Sequence, residues 1–179
     1  MAARDRAAFA EFVTARSTAL HRAAYLMVGD VGLAQDLVQE ALTKTYVAWP
    51  RLREVGNAEA YTRKVITNTA ITWFRRKGWH GERATADLPE TIHAGHAEHV
   101  ADRTSLMQAL QQLPPRQRAA IVLRFYDDLT EAQTAAAMDC AVGTVKSQVS
   151  AGLSKLRTLL GDAVDATEWD DLMPAGGAA

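Results

Sequence analysis

The first third of the chain carries apolar residues at the three-and-four spacing of amphipathic helices. A first helix is predicted over residues 9–27 and should end near Gly29. Asp30 is a suitable N-cap for a second helix. Pro50 is expected to stop that helix at Trp49, because proline cannot continue the backbone hydrogen-bond ladder.

A third helix is predicted to begin at Asn57, whose side chain suits an N-cap, after a loop over residues 51–56. It should run to the basic sequence at 75–77, where cations face the negative end of the helix dipole. The three helices predict a first helical module over residues 1–78.

Residues 79–102 are rich in Gly, Ala, His and acids, and they nearly lack large apolar side chains. They cannot bury enough apolar surface to fold alone, which predicts a flexible linker. A second module is predicted over 103–161, with one helix before the Pro114-Pro115 break and a second that buries residues 119–123. The acidic, small-residue tail over 162–179 is expected to be flexible.

The second module ends in a predicted helix-turn-helix. Thr130 and Gln133 form a capping-box pattern that opens a short helix, and residues 139–141 form a tight turn before a longer one. The outer face of the last helix offers polar groups for base edges and phosphates. An ordinary helical hairpin with a polar exterior explains this spacing equally well. No strand alternation is present, so the predicted fold class is all-α, with two small helical modules.

Charge is distributed unevenly. The net charge of −1 alone argues against a nucleic-acid-binding protein. Residues 51–80, however, hold seven basic side chains against two acids, and residues 103–161 hold seven against four. Acidic residues at 81–102 and 162–179 mask these two basic islands. A solvated surface accounts for such charge runs about as well as nucleic-acid binding does.

Several protein classes are disfavoured. Hydrophobic residues make up 48% of the chain, but no apolar run approaches the roughly 18–20 residues that span a bilayer. The N-terminus lacks the apolar stretch of a signal peptide, so a cytoplasmic protein is expected. The single cysteine, Cys140, supports neither an internal disulfide nor a multi-cysteine zinc site.

Three histidines recur every three residues in the predicted linker, and on a transient helix they would lie near enough to bind a metal or sense pH. They are His93, His96 and His99. The favoured interpretation is that they have no such role, because no catalytic carboxylate accompanies them. We therefore predict no metal, no cofactor and no enzymatic activity, and a metal-dependent hydrolase is a remote alternative.

Motifs in both modules resemble those of extracytoplasmic-function sigma factors. In the second module the resemblance is to region 4, through Leu-Pro-Pro-Arg-Gln-Arg at 113–118, Tyr-Asp-Asp-Leu-Thr-Glu-Ala at 126–132 and Val-Gly-Thr-Val-Lys-Ser at 142–147. In the first module, Asp-Leu-Val-Gln-Glu-Ala at 36–41 resembles the core-polymerase-binding helix of region 2.

The first module also resembles the promoter-melting segment of region 2, through residues 57–61 and 68–77. The Asn-Thr and Trp-Phe-Arg-Arg sequences within 68–77 are similar to those of the SigE-like subgroup. A more distant resemblance is to the orphan sigma factors of antimycin gene clusters.

This resemblance implies a division of labour between the modules. The first would bind the clamp of core RNA polymerase and open the minus-ten element, and the second would read the minus-thirty-five element of promoter DNA. The implied polymerase-binding residues are Asp36, Gln39, Glu40 and Thr43, which helical spacing places on one face. A solvated stripe is the alternative interpretation.

The implied DNA-binding residues lie in both modules. Trp73 is expected in the core, and Trp79 is the better candidate for stacking on a base. In region 2 the DNA-binding residues are Arg51, Asn57, Arg63, Lys64, Asn68, Thr72, Arg75, Arg76 and Lys77, the loop from Arg51 to Asn57 being expected to hold a flipped base. In region 4 they are Thr144, Lys146, Ser147, Gln148, Ala151 and Lys155.

The chain departs from the family pattern at three positions. Typical members carry arginine near Gln148 and Ala151, and a serine cap near Ala141. Each departure should weaken DNA binding by the helix-turn-helix, because a phosphate contact or an N-cap oxygen is lost. The isolated C-terminal module should bind DNA poorly and depend on tethering by polymerase.

Two questions about partners stay open at the level of sequence. Ala178 and Ala179 resemble a degron read by ClpXP-type proteases, although small-residue tails are common in alanine-rich sequences. An anti-sigma factor is a possible further partner. The main alternative function is a helix-turn-helix regulator that binds operators as a dimer without polymerase.

Overall fold

The computed structural model describes residues 3–52, 55–76 and 105–161, and every regular element in these ranges is helical, which confirms the all-α prediction. The predicted linker and tail, Lys77, Trp79, the three linker histidines, Ala178 and Ala179 lie outside the described residues. The helices of the first module are α1 (Ala3–Val28), α2 (Val31–Leu52) and α3 (Val55–Arg76). Those of the second are α4 (105–111), α5 (Pro115–Ile121), α6 (Glu131–Met138) and α7 (Val142–Leu160), and a π-helical turn (Val122–Tyr126) continues α5.

The junction between α1 and α2 forms as the sequence predicts. Gly29 follows the end of α1 with a φ of +74°, a conformation that glycine adopts without steric cost. The backbone amide of Leu33 donates to Asp30 Oδ1 at 2.8 Å, so Asp30 caps α2.

The junction between α2 and α3 differs from the prediction. Pro50 lies inside α2, which continues to Leu52, and the predicted stop at Trp49 is therefore wrong. In the last turn, proline removes one hydrogen bond, and packing of Trp49 and Leu52 against the core holds the turn in place. Asn57 is also not an N-cap, because α3 already begins at Val55, and its side-chain amide donates to Leu52 O at 3.4 Å instead.

The helix-turn-helix matches its predicted bounds. Thr130 and Gln133 form a complete capping box at the start of α6, with distances of 2.8 and 3.2 Å. Asp139 ends α6 in the left-handed conformation, with a φ of 52°. The turn over 139–141 then leads directly into α7.

The apolar residues of α7 pack on the core along most of the helix, and Val149, Leu153 and Leu160 contact it. Val145 and Leu156 are fully buried, whereas Val142, in the first turn, is 39% exposed. Gly152 is also buried, and a Cβ atom there would lie 3.0 Å from Ile121 Cγ1. The missing side chain therefore allows α7 to approach α5 closely.

Serine at position 141 should stabilise the C-terminal module. Ala141 is the N-cap of α7, has the extended backbone typical of that position and provides no side-chain hydrogen bond. Ala141→Ser should raise the free energy of unfolding by about 1 kcal/mol, because its oxygen would accept from an amide of the first turn. Urea unfolding measures this, and Ala141→Val, which adds bulk without an acceptor, should give no gain.

Candidate functional site

The α2 residues implied in polymerase binding form one exposed stripe. Asp36, Gln39, Glu40 and Thr43 are all exposed. Glu40 pairs with Lys44 at 2.5 Å across one helical turn, so the stripe carries its own counter-ion.

Val47 extends this stripe and was missed from the sequence. It lies four residues beyond Thr43 on the same face of α2 and is 75% exposed, the largest exposure among the large hydrophobic residues described. The spacing of positions 36, 40, 43 and 47 can be read directly from the sequence. An apolar residue at the last of these positions is the signal for a contact surface that combines charged, polar and apolar groups.

The α3 residues implied in DNA binding are divided by exposure. Some project freely into solvent, and others lie at the boundary with the second module. Arg51, Asn57, Lys64, Arg75 and Arg76 are exposed, whereas Arg63, Asn68 and Thr72 are half-buried.

Three of these residues contact the second module. Arg63 Nε donates to Asp127 Oδ2 at 3.1 Å, and Lys64 Nζ lies 3.0 Å from Asp139 Oδ1. Asn68 Nδ2 donates to the carbonyl of Ala137 at 3.1 Å. The structure therefore brings the predicted DNA-binding flank of α3 against Asp127, which precedes α6, and against the end of α6 and the turn that follows it.

The Arg63 ion pair is largely removed from solvent. The Asp127 side chain is 4% exposed and that of Arg63 17%, and Arg63 Nη2 also pairs with Glu59 at 2.8 Å. Burial raises the pKa of Asp127, and the charge and hydrogen bond of Arg63 oppose that rise. The guanidinium therefore holds a buried carboxylate in its charged form.

Arg118 joins the modules at a second place. The residue is 1% exposed, and its guanidinium donates to the carbonyl of Met27 at 2.7 Å and to that of Leu113 at 3.1 Å. It also donates to Gln111 and lies 4.9 Å from the centre of the Phe74 ring. Burial lowers the pKa of Arg118 to about 10, so it stays charged at neutral pH. No local pattern in the sequence indicated this role.

Gln111 completes the second contact. Its Nε2 donates to the carbonyl of Leu26 at 3.1 Å. The last carbonyls of a helix lack partners within the helix, and here Gln111 and Arg118 satisfy those of Leu26 and Met27 at the end of α1. The described parts of both modules also share one hydrophobic core cluster.

The outer face of α7 presents the residues implied in minus-thirty-five recognition. Ser147 is exposed, and its hydroxyl donates to Thr144 O at 2.9 Å. Lys146 lies 3.5 Å from Glu131 on α6. Among the predicted residues of this face, Lys146, Ser147 and Ala151 are exposed, and Thr144, Gln148 and Lys155 are half-buried.

Ala151→Arg should tighten binding of promoter DNA. Ala151 is exposed on this face, so an arginine there can extend into solvent and reach a phosphate. One added phosphate contact should also steepen the dependence of affinity on salt by about one unit of log K per log salt concentration. A titration of DNA at several salt concentrations measures both effects. Unchanged affinity at every concentration would contradict the prediction.

Comparison with known proteins identifies these two modules. Residues 12–80 match the family Sigma-70 region 2, and residues 103–156 match Sigma-70, region 4. The chain belongs to the sigma-70 family. It is an RNA polymerase sigma factor of the extracytoplasmic-function type, as its motifs predicted.

Known sigma factors align with this one over most of their length. It is 40% identical to RNA polymerase sigma-E factor of Streptomyces coelicolor over 149 residues, which cover 83% of this chain and 84% of the relative. The corresponding protein of Streptomyces avermitilis is 39% identical, again with 83% of each chain covered. SigW of Bacillus subtilis is 27% identical, with 88% of this chain and 91% of the relative covered.

A solved structure is similar to this sigma factor across both modules. It is the sigma factor RpoE of Bartonella quintana in complex with the anti-sigma factor NepR. The two chains have a TM-score of 0.65 and 26% sequence identity, and the match covers 87% of this chain and 98% of RpoE. No helix in the described parts of this sigma factor is long and apolar enough to cross a membrane.

Proposed function

We propose that this sigma factor binds core RNA polymerase and directs initiation at promoters whose minus-ten and minus-thirty-five elements it reads. The exposed α2 stripe binds the polymerase clamp. The basic flank of α3 binds the melted minus-ten strand, and the outer face of α7 binds the minus-thirty-five duplex. Catalysis of RNA synthesis belongs to the polymerase.

The α2 stripe is the observation that carries this proposal. A helix-turn-helix alone also suits a dimeric operator-binding regulator, which has no need of a polymerase-binding surface. Here α2 presents two carboxylates, an amide and a hydroxyl in helical register, continued by the exposed Val47. Exposed apolar side chains beside polar groups are typical of a protein interface.

Run-off transcription with core polymerase tests the proposal. The intact chain should confer initiation on a promoter template that core polymerase alone does not transcribe, whereas an operator-binding regulator would need another sigma factor. Glu40→Lys should lower the affinity for core polymerase about tenfold or more, because it reverses the charge of one of the two carboxylates that the stripe presents. Glu11→Lys, an equivalent charge reversal at an exposed position of α1, is the matched control. Equal affinities of the two variants would contradict the role of the stripe.

Two further partners belong to the proposal. An anti-sigma factor is supported by the solved relative, which was captured with one. A ClpXP-type protease that reads Ala178 and Ala179 rests on the sequence alone.

A further inference from the structure

We propose that the acidic tail that follows α7, residues 162–179, docks in a basic cleft on the helix-turn-helix module. The cleft has a volume of about 310 Å³ and lies between the π-helical turn, the start of α6 and one face of α7. Of the residues that line it, only Lys146 belongs to the predicted DNA-binding set. The chemistry of the walls identifies the tail as the occupant.

The walls of the basic cleft combine cations with apolar side chains. Among the described lining residues, three cations and one acid, Glu131, leave a net charge of +2. The cations are Arg124, Lys146 and Arg157, and the apolar residues are Phe125, Val149 and Leu153. A matching ligand therefore carries several acidic groups and at least one large apolar side chain.

The three cations of the basic cleft are open to an acidic ligand. Arg124 is anchored by donating to the carbonyl of Leu129, which holds its guanidinium beside the cleft. Lys146 lies 3.5 Å from Glu131, and an ion pair with side-chain exposures of 61% and 44% is weak and readily exchanged. Arg157 is exposed and forms no ion pair with any residue that the structure describes.

The tail has the composition that this cleft requires. It contains five acidic residues and no basic one, and Trp169 stands directly between Glu168 and Asp170. An aromatic side chain flanked by carboxylates matches apolar walls flanked by cations. A lone phosphate would use the cations but would leave the apolar walls uncovered, so the observations favour the tail over a free anion.

The tail is also long enough to reach every part of the cleft. Lys146, at the far end, precedes Gly161 by 15 residues of α7, which corresponds to about 22 Å along the helix axis. Trp169 follows Gly161 by eight residues, and these span up to about 26 Å when extended. Trp169 can therefore contact the apolar walls while the acids before and after it pair with the cations.

Docking of the tail has a consequence for DNA binding, and this step rests on the role proposed for α7. Lys146 is one of the residues proposed to bind the minus-thirty-five duplex, so tail carboxylates and DNA phosphates compete for it. A short tether keeps the tail near the cleft at an effective concentration on the order of millimolar. The tail should therefore weaken duplex binding by the free chain.

Contact quenching by Trp169 tests docking in the full chain. Tryptophan quenches a bimane dye only when the two are in contact. The dye is attached through Ser150→Cys in a Cys140→Ser background, because Ser150 is exposed and lines the cleft. Trp169→Phe should brighten the dye about twofold or more, since a tethered segment with a matching site is docked for much of the time.

The matched control is the same dye attached through Thr158→Cys. Thr158 is exposed on another face of α7 and is nearer to Gly161, so an undocked tail would quench the dye there at least as strongly. Salt at about 1 M, where the Debye length is about 3 Å, should also relieve the quenching at position 150. Equal brightening by Trp169→Phe at the two positions would overturn the proposal and leave the cleft to an external anion such as a DNA phosphate.

Neutralising the tail tests the competition with DNA. The test variant replaces the five tail acids by their amides, and the matched control makes the same change of charge in the predicted linker. The test positions are Asp162, Asp165, Glu168, Asp170 and Asp171, and the control positions are Glu82, Asp87, Glu90, Glu98 and Asp102.

Binding of a short fluorescent DNA duplex distinguishes the two variants. The tail variant should bind about five- to tenfold more tightly than the linker variant, because only the tail carboxylates occupy the cleft. Equal affinities would overturn the competition. Run-off transcription by the unmodified chain tests the proposed function separately, and the quenching experiment contains no DNA or polymerase, so failure of one proposal is distinguishable from failure of the other.

Discussion

Arg118→Met should lower the free energy of unfolding by about 3 kcal/mol. The guanidinium supplies the hydrogen bonds for the carbonyls of Met27, Gln111 and Leu113, and methionine leaves those acceptors buried without a donor. Burial of the charge itself is unfavourable, as the lowered pKa of Arg118 indicates, which offsets part of the loss. The unsatisfied acceptors outweigh that gain, because several are left at once.

Urea unfolding followed by circular dichroism measures this effect. Arg116→Met, at an exposed position on the same helix, is the control and should change the free energy of unfolding by no more than about 0.5 kcal/mol. Arg118→Lys should fall between the two, because an ammonium keeps the charge but lacks the planar fork of donors. Equal stabilities of Arg118→Met and Arg116→Met would show that these hydrogen bonds do not hold the modules together.

Arg63→Met should lower the free energy of unfolding by about 3 kcal/mol at neutral pH, because it leaves the Asp127 carboxylate buried without its partner. The double variant, Arg63→Met with Asp127→Asn, should lose much less free energy of unfolding, because the neutral amide of asparagine removes the uncompensated charge. The double-mutant cycle therefore separates the cost of the buried charge from the cost of lost packing.

The stability that Arg63→Met loses should depend on pH, because the cost arises from the charged Asp127 carboxylate. Burial raises the pKa of Asp127 in the folded chain above its unfolded value, and without Arg63 the rise should be larger. Because the folded chain then binds the proton more tightly than the unfolded chain, stability lost at neutral pH is recovered as the pH falls through the raised pKa. Unfolding of Arg63→Met should therefore differ less from that of the unmodified chain at pH 5 than at pH 7. A loss that is independent of pH would show that Asp127 is not the source.

The junction between α2 and α3 shows where local sequence signals do not determine a helix boundary. Pro50 and Asn57 carry valid signals for a helix end and a helix start, yet α2 runs past the first and α3 begins before the second. A cap or a proline changes helix stability by a few kcal/mol at most, and packing of the flanking turns against the core can outweigh it. A helix boundary that is predicted from one residue is therefore less reliable than the prediction of the helix itself.

By itself, the sequence determined the features that depend on neighbouring residues. The amphipathic spacing, the Asp30 cap, the Thr130 and Gln133 capping box and the register of the α2 stripe are all set within one or two helical turns. Only the tertiary structure decided the close approach at Gly152, the burial of Arg118 and the pairing of Arg63 with Asp127, which are 64 residues apart. Those contacts depend on how whole helices pack, and the residues of each pair carry no mark of their partner in the sequence.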